Sequence, residues 1–106
     1  MDKVEKYRQI LKSVTENHAK IFSPVQTVNS SAVCDFEQNN YFLIDFDTKE
    51  KRHYIVFHLR LDNGEVFIEQ DGIEYGIKQD LVEAGISPNE IVLSYQDSRQ
   101  LELLAA

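Results

Sequence analysis

Apolar and aromatic residues recur at alternating spacings of three and four near the start of the chain, at Val4, Tyr7, Leu11, Val14, His18 and Ile21, with Ile10 widening the stripe. That is the period of an amphipathic helix, and it predicts a first element of about five turns. Asp2, three places ahead of Glu5, reads as a capping-box-like start that sets carboxylates at the positive end of the helix dipole, and Ser23-Pro24 ends the run. The stripe is too short for a sustained heptad pattern, so it is expected to pack on a sheet.

Alternating segments follow, and their loops propose a register. Asn63-Gly64 is a strong two-residue hairpin signal because both central residues of a type I′ turn need positive φ. It pairs Leu61 with Val66, Arg60 with Phe67, Leu59 with Ile68 and His58 with Glu69. A four-residue loop over Lys49 to Arg52 pairs Phe46 with Ile55, Ile44 with Phe57 and Phe42 with Leu59. A three-residue loop over Gln38 to Asn40 pairs Phe36 with Phe42 and Cys34 with Ile44. These choices send Cys34, Phe36, Phe42, Ile44, Phe46, Ile55, Phe57, Leu59, Leu61, Val66 and Ile68 to one face, enough apolar surface to seat the first helix. Asp71-Gly72 and Tyr75-Gly76 punctuate a turn; Ile77 to Ala84 reads as a short helix stopped by Gly85, and Glu90 to Tyr95 as a strand whose place in the sheet stays open. The expectation is a single α+β domain over residues 1–106: an N-terminal helix on a four-stranded antiparallel meander, then a short helix and an extra strand.

In this register the outer face carries Asp35, Glu37, Tyr41, Leu43, Asp45, Asp47, Tyr54, Val56, His58, Arg60, Phe67, Glu69 and Asp71. One row sets the Arg60 guanidinium between Tyr41 and Phe67, and the next sets His58 beside Glu69. Such pairs stabilise a solvated sheet by about 0.2–1 kcal/mol each. The same residue types in one patch are also those enriched at interface cores and hot spots. Tyr41, His58, Arg60, Phe67 and Glu69 are therefore the candidate partner-binding residues.

A third use of this face would be a site built from His58, Glu69, Asp45 and Asp71, serving a small ligand or a divalent metal. One histidine among scattered acids is a nonspecific pattern, and no H-E-x-x-H, G-x-S-x-G or G-x-x-x-x-G-K motif is present. His18 and His53 have no evident acidic partner in sequence, and Cys34 reads as a small core residue. The glycine-rich turn is flanked by Asp71, Glu74 and Asp80, which disfavours phosphate and makes it an architectural corner anchored by Tyr75.

Charge narrows the partners. A formal net charge of -7 over 106 residues opposes a duplex, and Lys49, Lys51, Arg52 and Arg60 form only a small basic cluster. A single cysteine allows no internal disulfide and no cysteine zinc site. No run approaches the roughly 20 apolar residues of a membrane span, and the charged N-terminus does not read as a signal peptide, so a cytoplasmic protein is expected.

The run Ile68-Glu69-Gln70-Asp71-Gly72-Ile73-Glu74-Tyr75-Gly76-Ile77, followed by Asp80-Leu81-Val82-Glu83-Ala84-Gly85-Ile86 and by Ser87-Pro88-Asn89-Glu90-Ile91-Val92-Leu93, resembles the signature of the cyanobacterial XisI family, the controlling factors for excision of the fdxN element. Its D-G-x-E-Y-G-I turn maps onto Asp71, Gly72, Glu74, Tyr75 and Gly76, and the Met1-Asp2-Lys3 to Tyr7 opening matches as well. The resemblance fails at Gln96 to Ala106, where relatives carry an R-x-Y-T-x-F-A-V-A tail. It implies an XisI-like fold and a non-enzymatic accessory factor in programmed DNA excision, without cofactor or metal. The implied partner is an XisH-like protein, the homo-oligomer being a further one.

Overall fold

The structure, a computed structural model, describes residues 2–21 and 27–94. Helix α1 (Lys3–Lys20) begins where Asp2 Oδ1 accepts the Glu5 N–H, a cap that satisfies one of the donors a helix start leaves free. Its predicted stripe holds in the middle, with Tyr7, Leu11 and Val14 buried, whereas Val4 and Ile21 at its ends are exposed. The Ser23-Pro24 stop lies outside the described residues.

Strands β1 (Val28–Asp35), β2 (Asn40–Asp47), β3 (Arg52–Asp62) and β4 (Glu65–Asp71) form the expected antiparallel meander. Helix α2 (Ile77–Ala84) and a 3₁₀ turn at Pro88–Glu90 then cross over, and β5 (Ile91–Leu93) joins β4 in parallel, completing a five-stranded sheet in the order β1-β2-β3-β4-β5. A parallel neighbour cannot be reached by a tight turn, which is why α2 sits between them. Gly85, at φ 117°, ends α2 with its own N–H on Val82 O and the Ile86 N–H on Leu81 O. Tyr95, the last residue of the predicted strand, lies outside the described residues.

The β3–β4 turn is as expected. Asn63 and Gly64 both take positive φ, at 53° and 80°, and Leu61 faces Val66, Arg60 faces Phe67 and Leu59 faces Ile68. A Cβ at Gly64 would stand in ordinary contact with the Lys3 side chain, 3.6 Å from Nζ, but in the wrong backbone region at φ 80°, so Gly64→Val is expected to cost about 1–3 kcal/mol in urea unfolding. An unchanged midpoint would contradict the turn's role.

The other two loops correct the expected register. Each is four residues long and starts at an aspartate: Asp35 Oδ1 accepts the Glu37 and Gln38 N–H groups, and Asp47 Oδ1 accepts those of Lys49 and Glu50. Each ends on a left-handed residue, Asn39 at φ 58° and Lys51 at φ 55°. The side-chain caps thus move both turns, so that Cys34 faces Tyr41, and Phe46 faces His53. The consequence is that β2 is reversed: Tyr41 and Leu43 are buried, while Phe42, Ile44 and Phe46 lie on the opposite face. Phe36 sits exposed in the first loop.

Two bulges complete the correction. Val56 is skipped on β3, which puts Phe57 opposite Leu43 and Ile55 opposite Ile44, so Ile55 is turned outward and exposed. Glu69 is skipped on β4, so His58 faces Gln70 instead of Glu69. The core under α1 and α2 is therefore built from Tyr41, Leu43, Phe57, Leu59, Leu61, Val66 and Ile68 on the sheet, closed by Leu11, Ile77, Leu81 and Ile86.

Candidate partner-binding face

Of the five candidate partner-binding residues, the structure keeps four together and removes one. Tyr41 is fully buried against the core, beside the edge of Phe36. Burial pushes its phenol pKa up, with Arg8 pulling the other way, and its hydroxyl has no hydrogen-bond partner among the described residues. His58, Arg60, Phe67 and Glu69 remain on the outer face, each half-buried.

Arg60 is the centre of that group. Its guanidinium lies 4.4 Å from the Phe67 ring centroid, Nε and Nη2 approach Glu69 Oε1 at 3.2 and 3.1 Å, and Nη1 reaches Asp62 Oδ2 at 3.3 Å. Ser94 Oγ donates to the same Glu69 oxygen. Glu69 is the residue skipped at the β4 bulge, so it is not opposite His58, and its carboxylate bonds Arg60 instead. Arg60 is thereby held over an aromatic ring, with its charge balanced by two acids.

His58 stacks on Phe42, centroids 4.1 Å apart and planes within 16°, and its Nε2 lies 2.9 Å from Asn40 Oδ1. Asn40 Oδ1 is an acceptor, so Nε2 carries the proton. Burial lowers the His58 pKa below its ordinary 6.5; Arg60 lowers it further and Glu69 opposes both. The folded state therefore prefers neutral imidazole, and the unfolded chain binds more protons in the window below 6.5. As pH falls from about 7 to about 5, the parent is expected to lose stability relative to His58→Gln. Parallel stability–pH curves for the two proteins would contradict this.

Beyond the predicted residues, the face continues as an apolar strip that the reversal of β2 created. Phe42, Ile44 and Phe46 lie on it, bordered by Val33 on β1 and Ile55 on β3, both 43% exposed, and Phe46 packs on His53 at 4.6 Å. Among the described residues no element covers this side of the sheet, the two helices being on the other. The acids proposed with His58 for a ligand or metal site do not converge on it. Asp45 accepts from Ser30 Oγ on the core side of β2, and Asp71 is engaged at the start of α2. No group of three or more potential ligands is assembled among the described residues. Of the basic cluster, Lys49, Lys51 and Arg52 line the β2–β3 loop among Asp47 and Glu50, away from Arg60.

The family profile described as XisI protein matches residues 1–104. The chain belongs to the XisI family. Two solved structures from Anabaena variabilis ATCC 29413 have the same fold. An XisI-like protein superposes with a TM-score of 0.75 at 23% identity, over 85% of this chain and 84% of its own. The fdxN element excision controlling factor XisI superposes at 0.71 and 23% identity, over 89% and 87%. No curated protein matches. The XisI match runs to residue 104, so it extends into the Gln96 to Ala106 segment where the resemblance was expected to fail; residues 95–106 lie outside the described part of the structure.

The XisI signature turn is a structural corner. Asp71 Oδ1 accepts the Ile73 N–H and Oδ2 the Ile77 N–H, so one carboxylate caps both the turn and α2. Gly72 donates its N–H to Val56 O, and an added Cβ would stand 2.7 Å from that oxygen, so only glycine fits beside the β3 bulge. Gly76 takes φ 89°, Glu74 is exposed, and Tyr75 is held only through its hydroxyl, which donates to Asp80 Oδ2 at 2.8 Å. That bond raises the Tyr75 pKa, keeping the phenol protonated.

Contrary to the sequence expectation, His18 has an acidic partner: its Nε2 is 2.7 Å from the same Asp80 oxygen, with the ring edge-on to Phe57. His18, Tyr75 and Asp80 line a groove of about 430 Å³ between α1 and α2, and the His18–Asp80 pair ties the helices together. The pairing spans 62 positions, so no local spacing announced it.

Proposed function

We propose that this XisI family member is a non-enzymatic, cytoplasmic accessory factor that controls excision of a DNA element by holding a protein partner on the outer face of its sheet. The partner proposed is an XisH-like protein. The observation that carries the reading is the outer face itself: an uncovered strip of Phe42, Ile44, Phe46, Val33 and Ile55 adjoining Arg60, which is pre-set over Phe67 by Glu69. Contiguous apolar area rimmed by polar groups marks interaction surfaces, and aromatic and arginine anchors are typical hot spots. The excision role comes from the family and from the printed name of the Anabaena variabilis XisI structure. The acidic balance of the chain favours action through a protein over direct grip on a duplex. No described helix is long and apolar enough to cross a membrane.

The test is site-specific photocrosslinking in the presence of an XisH-like protein. A benzophenone side chain at Val33 or Ile55 should yield a crosslinked heterodimer, and one at Gln79 on α2 should not. Crosslinking from Gln79 alone would place the partner on the helical side and overturn the reading.

A further inference from the structure

Among the described residues, no element pairs with the edge of the sheet at β1. Natural sheets blunt their edges with short strands, lysine, proline, bulges or inward-pointing charge, because free backbone groups there recruit another strand. The opposite edge, β5, follows that rule, being only three residues long. β1 does not. It runs for eight residues, Val-Asn-Ser-Ser-Ala-Val-Cys-Asp, with no proline, no basic residue and a constant register against β2, and its one charge, Asp35, is at its end.

Which backbone groups are free follows from the ladder. Thr48 donates its N–H to Thr27 O, so Thr27 and every second residue after it direct their backbone groups at β2. Val28, Ser30, Ala32 and Cys34 therefore turn theirs outward, where no described element meets them.

We infer that β1 pairs antiparallel with β1 of a second copy of this chain, joining two five-stranded sheets across a twofold axis. Centring the axis on Ser31 sets Val28 against Cys34 and Ser30 against Ala32 of the other copy, which engages all four outward residues on each side in on the order of eight hydrogen bonds. Side chains stay on matching faces, because every pair joins residues of the same parity. The charge distribution favours a self-contact here. The chain carries -7 overall, so copies repel in general, but residues 28–34 hold no charge, and the axis places the two Asp35 residues at opposite ends of the ladder. This inference rests on the backbone of β1 and stands independently of what occupies the outer face.

Sedimentation equilibrium of the full chain should give a concentration-dependent mass approaching twice 12.3 kDa. Ala32→Pro removes an outward N–H without touching the β1–β2 ladder, and Val33→Lys adds an edge lysine on the exposed face. Each should weaken dimerisation by about tenfold or more at an unchanged circular dichroism spectrum. The parent alone offers a second readout that does not depend on any variant folding. Amide hydrogen exchange at Ser30, Ala32 and Cys34 should be slow in concentrated solution and fast on dilution, while Ser31 and Val33, bonded to β2, stay slow in both. A monomer at all concentrations, or a dimer in which those three amides exchange freely, overturns the inference. So does protection of them that appears only when an XisH-like protein is added, since the edge would then belong to that partner.

Discussion

Replacing Tyr41 by alanine is expected to cost about 3–5 kcal/mol of folding stability, the range for emptying a buried aromatic site, whereas Phe42→Ala next to it should cost about 1 kcal/mol. Tyr41 is wholly buried, and its removal leaves a cavity between β2 and α1 that the packed core cannot close. Phe42 loses only a half-exposed stack on His58. Tyr41→Phe should be neutral to stabilising, because the hydroxyl it deletes is buried without a partner among the described residues. Urea unfolding of the three variants reads this directly. A larger loss for Phe42→Ala than for Tyr41→Ala would reverse β2 and with it the surface on which the functional reading stands.

That contrast also marks where sequence reasoning held and where it broke. The helix stripe and the Asn63-Gly64 turn were legible because each is local: a period of 3.6 and a pair of residues suited to positive φ leave few alternatives. β2 was not legible, because Tyr41-Phe42-Leu43-Ile44 is apolar on both faces, so hydrophobicity could not choose its parity. The choice was made by Asp35 and Asp47, whose carboxylates accept from the amides two and three residues on and set four-residue loops ending at Asn39 and Lys51. An aspartate four places ahead of a left-handed residue was the available signal. The bulges at Val56 and Glu69 have no such signal in the chain. At the first of them the skipped residue's carbonyl is used, accepting the N–H of Gly72.

The candidate face was legible in part for the same reason. Arg60, Phe67, His58 and Glu69 lie on strands whose parity the Asn63-Gly64 turn fixed, and the structure brings them together. Tyr41 was lost to the core and Phe42, Ile44 and Ile55 were gained, all through the two aspartate loops and one bulge. The error increased the apolar content of the surface instead of abolishing it.

The second large effect is on association. Arg60→Ala and Phe67→Ala each remove a member of a pre-set anchor, and loss of a hot-spot residue costs about 2 kcal/mol or more of binding, about thirtyfold in affinity. Both side chains point away from the core, so unfolding midpoints should move little. Lys49→Ala, on the distant β2–β3 loop, should leave affinity unchanged and serves as the control. The measurement that bears most directly on the outer-face claim is the affinity of the parent, Arg60→Ala and Phe67→Ala for an XisH-like protein, taken by calorimetry alongside each protein's urea midpoint. The account predicts about thirtyfold weaker binding in both variants at near-parental stability. Parental affinity in two stably folded variants would contradict it.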